Sequence, residues 1–440
     1  LKRSSVVVLG LAVSAGALLV AATCAAYPLD GFERTGIRRL LGTAKQQATA
    51  GKKKLTDGAL HSTGDIGLSL EGRTYDLGAE DPALKAALDG MLATRDPSYL
   101  VAVADITDPE AIAWAGVRAD ETQYPGSVGK LACAVALFDG LRRAFPDPAD
   151  RERVLRETII EADAWSAGDS HGVPVYDDAT GLNHSRPVRV GDRFTLSEWL
   201  DHALSASANS AGAMLWREAM ILRKLGSAYP GTPEQRAAVL ALPKQELYEL
   251  SQAIIVEPFV AMGIDPTKFR QATFWTDHGQ ACVPGQSSFA SPRELLHLLL
   301  LMEEGRLVDR WSSLELKRYI YFTRKRYRYA YAPELAEAAV YFKSGSLYEC
   351  AKEEGFTCGK YRGNVRNVMN SVAVVEMPAK EGQPARRYLV ALMSNVLRVN
   401  SAWDHARIAA AIDEMIRTRK PAAIEEAGSS SAVKDAGSGD

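Results

Sequence analysis

The chain carries strand-like patterning in two places that lie far apart in sequence. "SYLVAVADITDPEAIAWAG" (98–116) reads as two strands around a turn at Asp108-Pro109. Three further runs follow only near the far end: "EAAVYFKSGSLYE", "NVMNSVAVVEMP" and "RRYLVALMSNV". They are rich in Val and Tyr and alternate in polarity. Between the two zones the patterning is helical. Thr195 and Glu198 in "TLSEWLDHAL" form a capping-box signature, and Pro292 stands at the first turn of "SPRELLHLLLLMEEG". "SAWDHARIAAAIDEMIRTR" closes the ordered part as an amphipathic helix. Strands that bury an apolar face need partners. The expectation is therefore an α/β (α+β) fold with one antiparallel sheet built from both ends of the chain, flanked by helices, plus a helical domain. The expected division is a sheet lobe over 86–140 and 285–418 and a helical lobe over 141–284.

The ends read differently. Lys2 and Arg3 precede an apolar run that reaches about Ala26. Residues 1–26 read as a secretory signal peptide or a membrane anchor, which implies an exported, periplasmic or extracytoplasmic protein and leaves N-terminal membrane association open. Cys24 belongs to this segment, and "VAATC" loosely resembles a lipoprotein box. Residues 27–85 are polar with no strong period and read as a spacer or small N-terminal extension. Residues 419–440 have the composition of a disordered tail.

With 47% hydrophobic residues, 440 positions suffice for a large core. The formal net charge of −2 provides no basic field for nucleic acid, and no such partner is expected. The His residues show no paired ligand spacing, so neither metal nor cofactor is expected. His171 and His184 read as solvated loop histidines. The basic aromatic run "LKRYIYFTRKRYRYAYAPE" (316–334) reads as a helix presenting cations toward an anionic wall polymer or membrane surface. Cys133 reads as an inert core thiol. Cys350 and Cys358 bracket a short charged loop that could close as a disulfide in an oxidising compartment.

Three short motifs carry the chemistry. In "YPGSVGKLACAVALF" Ser127 precedes Lys130 by three residues, one helical face apart. Ser127 would sit at a helix N-terminus, where free N–H groups favour developing negative charge. A lysine walled in by apolar neighbours loses its charge readily and can act as a base. The pair alone is also what a helix cap and a snorkelling lysine look like, and "SAVK" at 431–434 repeats it. The second motif is Ser207-Ala208-Asn209 between two helical patterns. The third is Lys343-Ser344-Gly345-Ser346, at the end of the strand "AAVYF". Gly345 permits close backbone approach there.

In order and local context these motifs resemble those of the serine β-lactamases and penicillin-binding D-Ala-D-Ala peptidases, over roughly residues 98 to 418. The resemblance implies a β-lactamase/transpeptidase-like fold and a cell-wall peptide or β-lactam as partner. It implies roles for residues. Ser127 is the acylated nucleophile and Lys130 moves its proton. Ser207 relays a proton to the leaving nitrogen, and Asn209 orients the substrate amide. Lys343 sets the field at Ser207, and Ser344 binds the substrate carboxylate. The backbone N–H groups of Ser127 and Ser346 form an oxyanion hole.

The chain departs from the class A pattern. Ala208 stands where Asp is usual and Ser344 where Thr is commoner. The intervals between motifs are longer than in a compact class A enzyme and imply insertions. After "MGIDP" the class A enzymes carry a Glu that activates the deacylating water. This chain reads "TKFRQATFWTDHGQACVPGQ", in which Asp277 is the sole carboxylate. The expectation is a serine hydrolase that acylates but releases β-lactams slowly, closer to a cell-wall peptidase than to a resistance enzyme. The alternative is an impaired homologue acting as an extracytoplasmic binding or scaffold protein.

Overall fold

The structure is a computed structural model that describes residues 30–48, 55–324 and 326–419. The sequence readings over 1–26 and beyond 419, Cys24 and "SAVK" among them, lie outside the described residues.

Five strands form one antiparallel sheet in the order Ala113–Val117, Leu100–Asp105, Arg386–Ser394, Arg366–Met377, Ala339–Glu349. The early strands thus pair with the late ones, as the patterning requires: Leu100 faces Met393, and Asp105 faces Tyr388. The strand Leu100–Asp105 is buried at every position, because the sheet is covered on both faces. Leu100, Ala102, Leu389 and Ala391 point into a large core shared with the helical lobe. Val101, Val103, Val390 and Leu392 point to the other face, against Ile408, Ile412 and Ile416 of the final helix Ala402–Thr418. Side chains alternate across a strand, so one continuous apolar run serves two cores.

On the first face lies the helix Lys130–Ala144, buried from Lys130 through Leu141. A helix apolar on all sides must sit inside a core, and this one packs against Asn209–Leu225 and Lys244–Ala261. Local start signals act as the sequence suggests. The Thr195–Glu198 capping box opens Leu196–Leu204, and Pro292 begins Pro292–Glu303 behind the Ser291 cap.

Two segments differ from their sequence readings. Within the polar stretch 27–85, the helix Arg39–Ala48 is fixed to the helical lobe. Arg39 is buried and donates two hydrogen bonds to Asp201, from Nε at 2.8 Å and Nη2 at 2.6 Å. The basic aromatic run is not a cation-presenting helix. The helix Arg310–Tyr321 ends inside it, and Lys317, Arg318 and Arg328 are all buried. Lys317 and Arg318 pair with Glu303, Glu376 and Glu315. Cys350 and Cys358 form a disulfide in the connection beyond the edge strand, and Cys133 is a buried thiol whose ionisation burial opposes. Among the described residues no helix is long and apolar enough to cross a membrane.

Candidate active site

The three motifs meet where the edge strand passes the start of the central helix. Ser127 lies in a tight 3-10 turn, Gly126–Gly129, that runs directly into Lys130–Ala144. Asn370 fixes the approach to this turn. Its Nδ2 donates to the carbonyls of Tyr124 at 2.9 Å and Pro125 at 3.0 Å.

Lys130 is fully buried. Its Nζ lies 2.8 Å from Ser127 Oγ, 2.9 Å from Asn209 Oδ1 and 3.2 Å from the Ser207 carbonyl. The Trp275 ring covers it, with Nζ 4.8 Å from the ring centroid. Burial lowers its pKa to about 7, with the Asp169 carboxylate acting in the opposite sense. A charged lysine this deep needs a paired anion, yet all three close partners are neutral. In its neutral form the amine would give its two N–H bonds to the two carbonyl oxygens and turn its lone pair to the Ser127 hydroxyl. That is how a base must stand to take the nucleophile's proton.

Ser207 links the second motif to the third. It follows the helix Leu196–Leu204 and adopts a left-handed backbone, φ 62°. Such conformations cost energy in non-glycine residues and persist where surrounding contacts hold them. Here the Ser207 carbonyl accepts from Lys130, and its hydroxyl accepts from Lys343 Nζ at 2.9 Å. Lys343 also donates to the Ser344 carbonyl at 2.8 Å. The strand does not end at the third motif as the sequence suggested. It continues through to Glu349, so Lys343–Ser346 lies mid-strand.

Two glycines let strand and turn backbones touch. A Cβ on Gly345 would stand 2.3 Å from the Pro125 carbonyl and 3.1 Å from the Ser127 nitrogen. Gly126 has φ 56°, and a Cβ there would meet the Ser346 nitrogen at 2.9 Å. The closeness brings Ser127 and Ser346 together on the wall of a cleft of about 520 Å³. Ser127, Ser207, Asn209, Ser344, Gly345 and Ser346 line this cleft, with Lys130 and Lys343 buried behind them. All eight residues singled out in the sequence are therefore brought together.

Sequence reasoning missed two others. His171 lines the cleft, and its Nδ1 lies 2.6 Å from Asp169 Oδ1. The other Asp169 oxygen accepts from the Ser210 backbone N–H at 2.9 Å and from its hydroxyl at 3.1 Å. Burial opposes ionisation of Asp169, but the His171 and Ser210 donors outweigh it and hold the carboxyl well below its usual range. Only an Asp two residues before a His in a polar loop marked this pair. Asp277, the carboxylate noted in sequence, is exposed on a short helix and is absent from the cleft wall.

No family model matches the chain, and no curated protein matches it. Among solved structures, it is similar to a β-lactamase from Sphaerobacter thermophilus, at 14% identity and a TM-score of 0.44, covering 74% of this chain and 95% of that one. A β-lactamase from Chitinophaga pinensis matches at 17% identity and a TM-score of 0.45, covering 76% and 99%. The structure of PBP-A matches at 15% identity and a TM-score of 0.46, covering 78% and 97%. At such identities function must be read from this chain's own side chains.

Proposed function

We propose that the chain is a serine hydrolase that forms an acyl-enzyme at Ser127 with a β-lactam or a D-Ala-D-Ala-type peptide. The observation that carries this reading is the buried Lys130 amine, 2.8 Å from Ser127 Oγ, with its pKa brought down to about 7. Neutral Lys130 takes the hydroxyl proton as Ser127 attacks the carbonyl carbon. The oxyanion is met by the N–H groups of Ser127 and Ser346, worth roughly 3–4 kcal/mol for one such donor in other enzymes. Ser207, held by Lys343, passes a proton to the departing nitrogen and regains one from Lys130, which returns to its neutral form. Ser344 and Lys343 favour a substrate carboxylate at the far end of the cleft. The apolar N-terminal run after Lys2 and Arg3 supports an exported protein, and the Cys350–Cys358 disulfide suits an oxidising compartment.

Among the described residues, no Asp or Glu stands on the cleft wall, which favours slow release of β-lactams and gives the impaired, binding-only alternative its footing. Intact-mass spectrometry after incubation with penicillin separates the two. An adduct on the Ser127 peptide that disappears in Ser127→Ala is expected. No adduct with penicillin or an acyl-D-Ala substrate would leave the binding alternative, and rapid multiple turnover of a chromogenic cephalosporin would rule out the peptidase-like preference.

A further inference from the structure

An acyl-serine enzyme that turns over must activate a water, and the carboxylate expected for that work is missing from this cleft. We infer that His171, held by Asp169, is the general base that hydrolyses the acyl-enzyme; this rests on the acyl-serine reading above. His171 and Ser127 line the same cleft, the ring on the wall formed by the loop 169–172. The His171 side chain is 39% exposed, which leaves it open to water, whereas that of Asp169 is only 3% exposed.

The pair is built as an orienting dyad. Asp169 is anchored independently of the histidine, through the Ser210 N–H and hydroxyl in the first turn of Asn209–Leu225. A carboxylate at a helix N-terminus is favoured by the free N–H groups there. The Asp169 carboxylate also accepts from the His171 backbone N–H at 3.1 Å, fixing the loop as well as the ring. When Nδ1–H is given to Asp169, Nε2 is the ring's acceptor. A carboxylate that fixes the tautomer and steadies the imidazolium formed during proton transfer is the partner a histidine base requires. The anchor also joins the dyad to the acylating machinery, because Ser210 directly follows Asn209, which holds Lys130.

The step balances as follows. A water oxygen attacks the acyl carbonyl carbon while His171 Nε2 takes one of its protons. The tetrahedral intermediate collapses, the bond from carbon to Ser127 Oγ breaks, and Oγ regains its proton from the imidazolium, directly or passed on through Lys130. The products are the free acid and the resting enzyme.

The test separates acylation from release. The full chain is labelled with fluorescent penicillin, unbound label is removed, and loss of adduct is followed by mass and gel fluorescence. Thermal melts check that His171→Ala and His171→Gln remain folded. The expected result is a labelling rate within about 3-fold of the parent, and release slowed about 100-fold or more, the usual range for a lost general base. Added imidazole should restore part of the release in His171→Ala. Asp169→Asn should slow release while sparing labelling more than Ser127→Ala does. Release unchanged in both His171 variants overturns the assignment, as does equal loss of labelling and release, which would make His171 a substrate-positioning residue. A parent that labels but never releases also overturns it and leaves the acyl-serine reading intact. Failure of the parent to label overturns that reading, and the deacylation role with it.

Discussion

Lys130 and Lys317 are both completely buried, and the protein treats them in opposite ways. Lys317 Nζ lies 2.8 Å from Glu303 Oε2, 2.7 Å from Glu376 Oε1 and 2.6 Å from the Gly67 carbonyl. Burial pulls its pKa down, but the two carboxylates more than offset this and raise it above the ordinary lysine value. It stays charged and ties the Arg310–Tyr321 helix to the sheet. Lys130 has only a hydroxyl, an amide oxygen and a backbone carbonyl as close partners, and burial brings it down to about 7. Depth alone therefore makes neither a base nor a structural ion. The neighbours decide, and a lysine buried without an anion in contact is the one poised to exchange protons.

Exchanging each lysine for methionine should split activity from stability. Lys130→Met is expected to slow acylation of Ser127 by about 1,000-fold or more, the upper reach of general-base catalysis. Its cost in stability should stay within about 2 kcal/mol, since the pocket keeps a side chain of similar length and no carboxylate in contact loses a partner. Lys317→Met should do the reverse. It strands Glu303 and Glu376 against each other and should cost about 3–5 kcal/mol of unfolding free energy, while the folded fraction still labels. Denaturant titration beside labelling kinetics reads both. The comparison breaks if the two variants lose activity and stability in the same proportion.

A smaller change sharpens the same point. A Cβ on Gly212 would press to 2.7 Å from Lys130 Cε and 3.0 Å from the Trp275 ring. Gly212→Ala should displace the amine from Ser127 and slow labelling about 10-fold, for a destabilisation of about 1–3 kcal/mol. Nothing in the Lys317 cluster touches that glycine, so a variant that labels at the parent rate would show that the amine's position is not critical.

How far these regions can be read in the sequence follows from how local their determinants are. The sheet is legible because its strands are unbroken runs such as "VAVAD", whose alternate positions fill two different cores. The motif residues are legible because Ser127 and Lys130 stand one turn apart, while Ser207 falls in a short interhelical link and Asn209 opens the helix after it. The rest depends on contacts made across long stretches of chain. Arg39 pairs with Asp201 at a separation of 162 residues, and nothing in the polar segment around Arg39 announces a helix held that way. The basic aromatic run was misread for the same reason, since Glu376, which neutralises Lys317, lies 59 residues further on. The pairing of His171 with Asp169 was not legible because the Ser210 anchor for Asp169 is 41 residues away.

The central claim is that Ser127 is activated by a lysine that loses its proton near neutrality. The most direct measurement is the second-order rate of Ser127 acylation across about pH 5 to 10, taken under single-turnover conditions so that release does not contribute. A base works only when deprotonated, and burial has lowered the Lys130 pKa. The rate should therefore fall as pH drops below the midpoint, rise through about 7 and level off above it. A rate that is flat throughout, or that keeps climbing toward the ordinary lysine value near 10.4, would contradict the account.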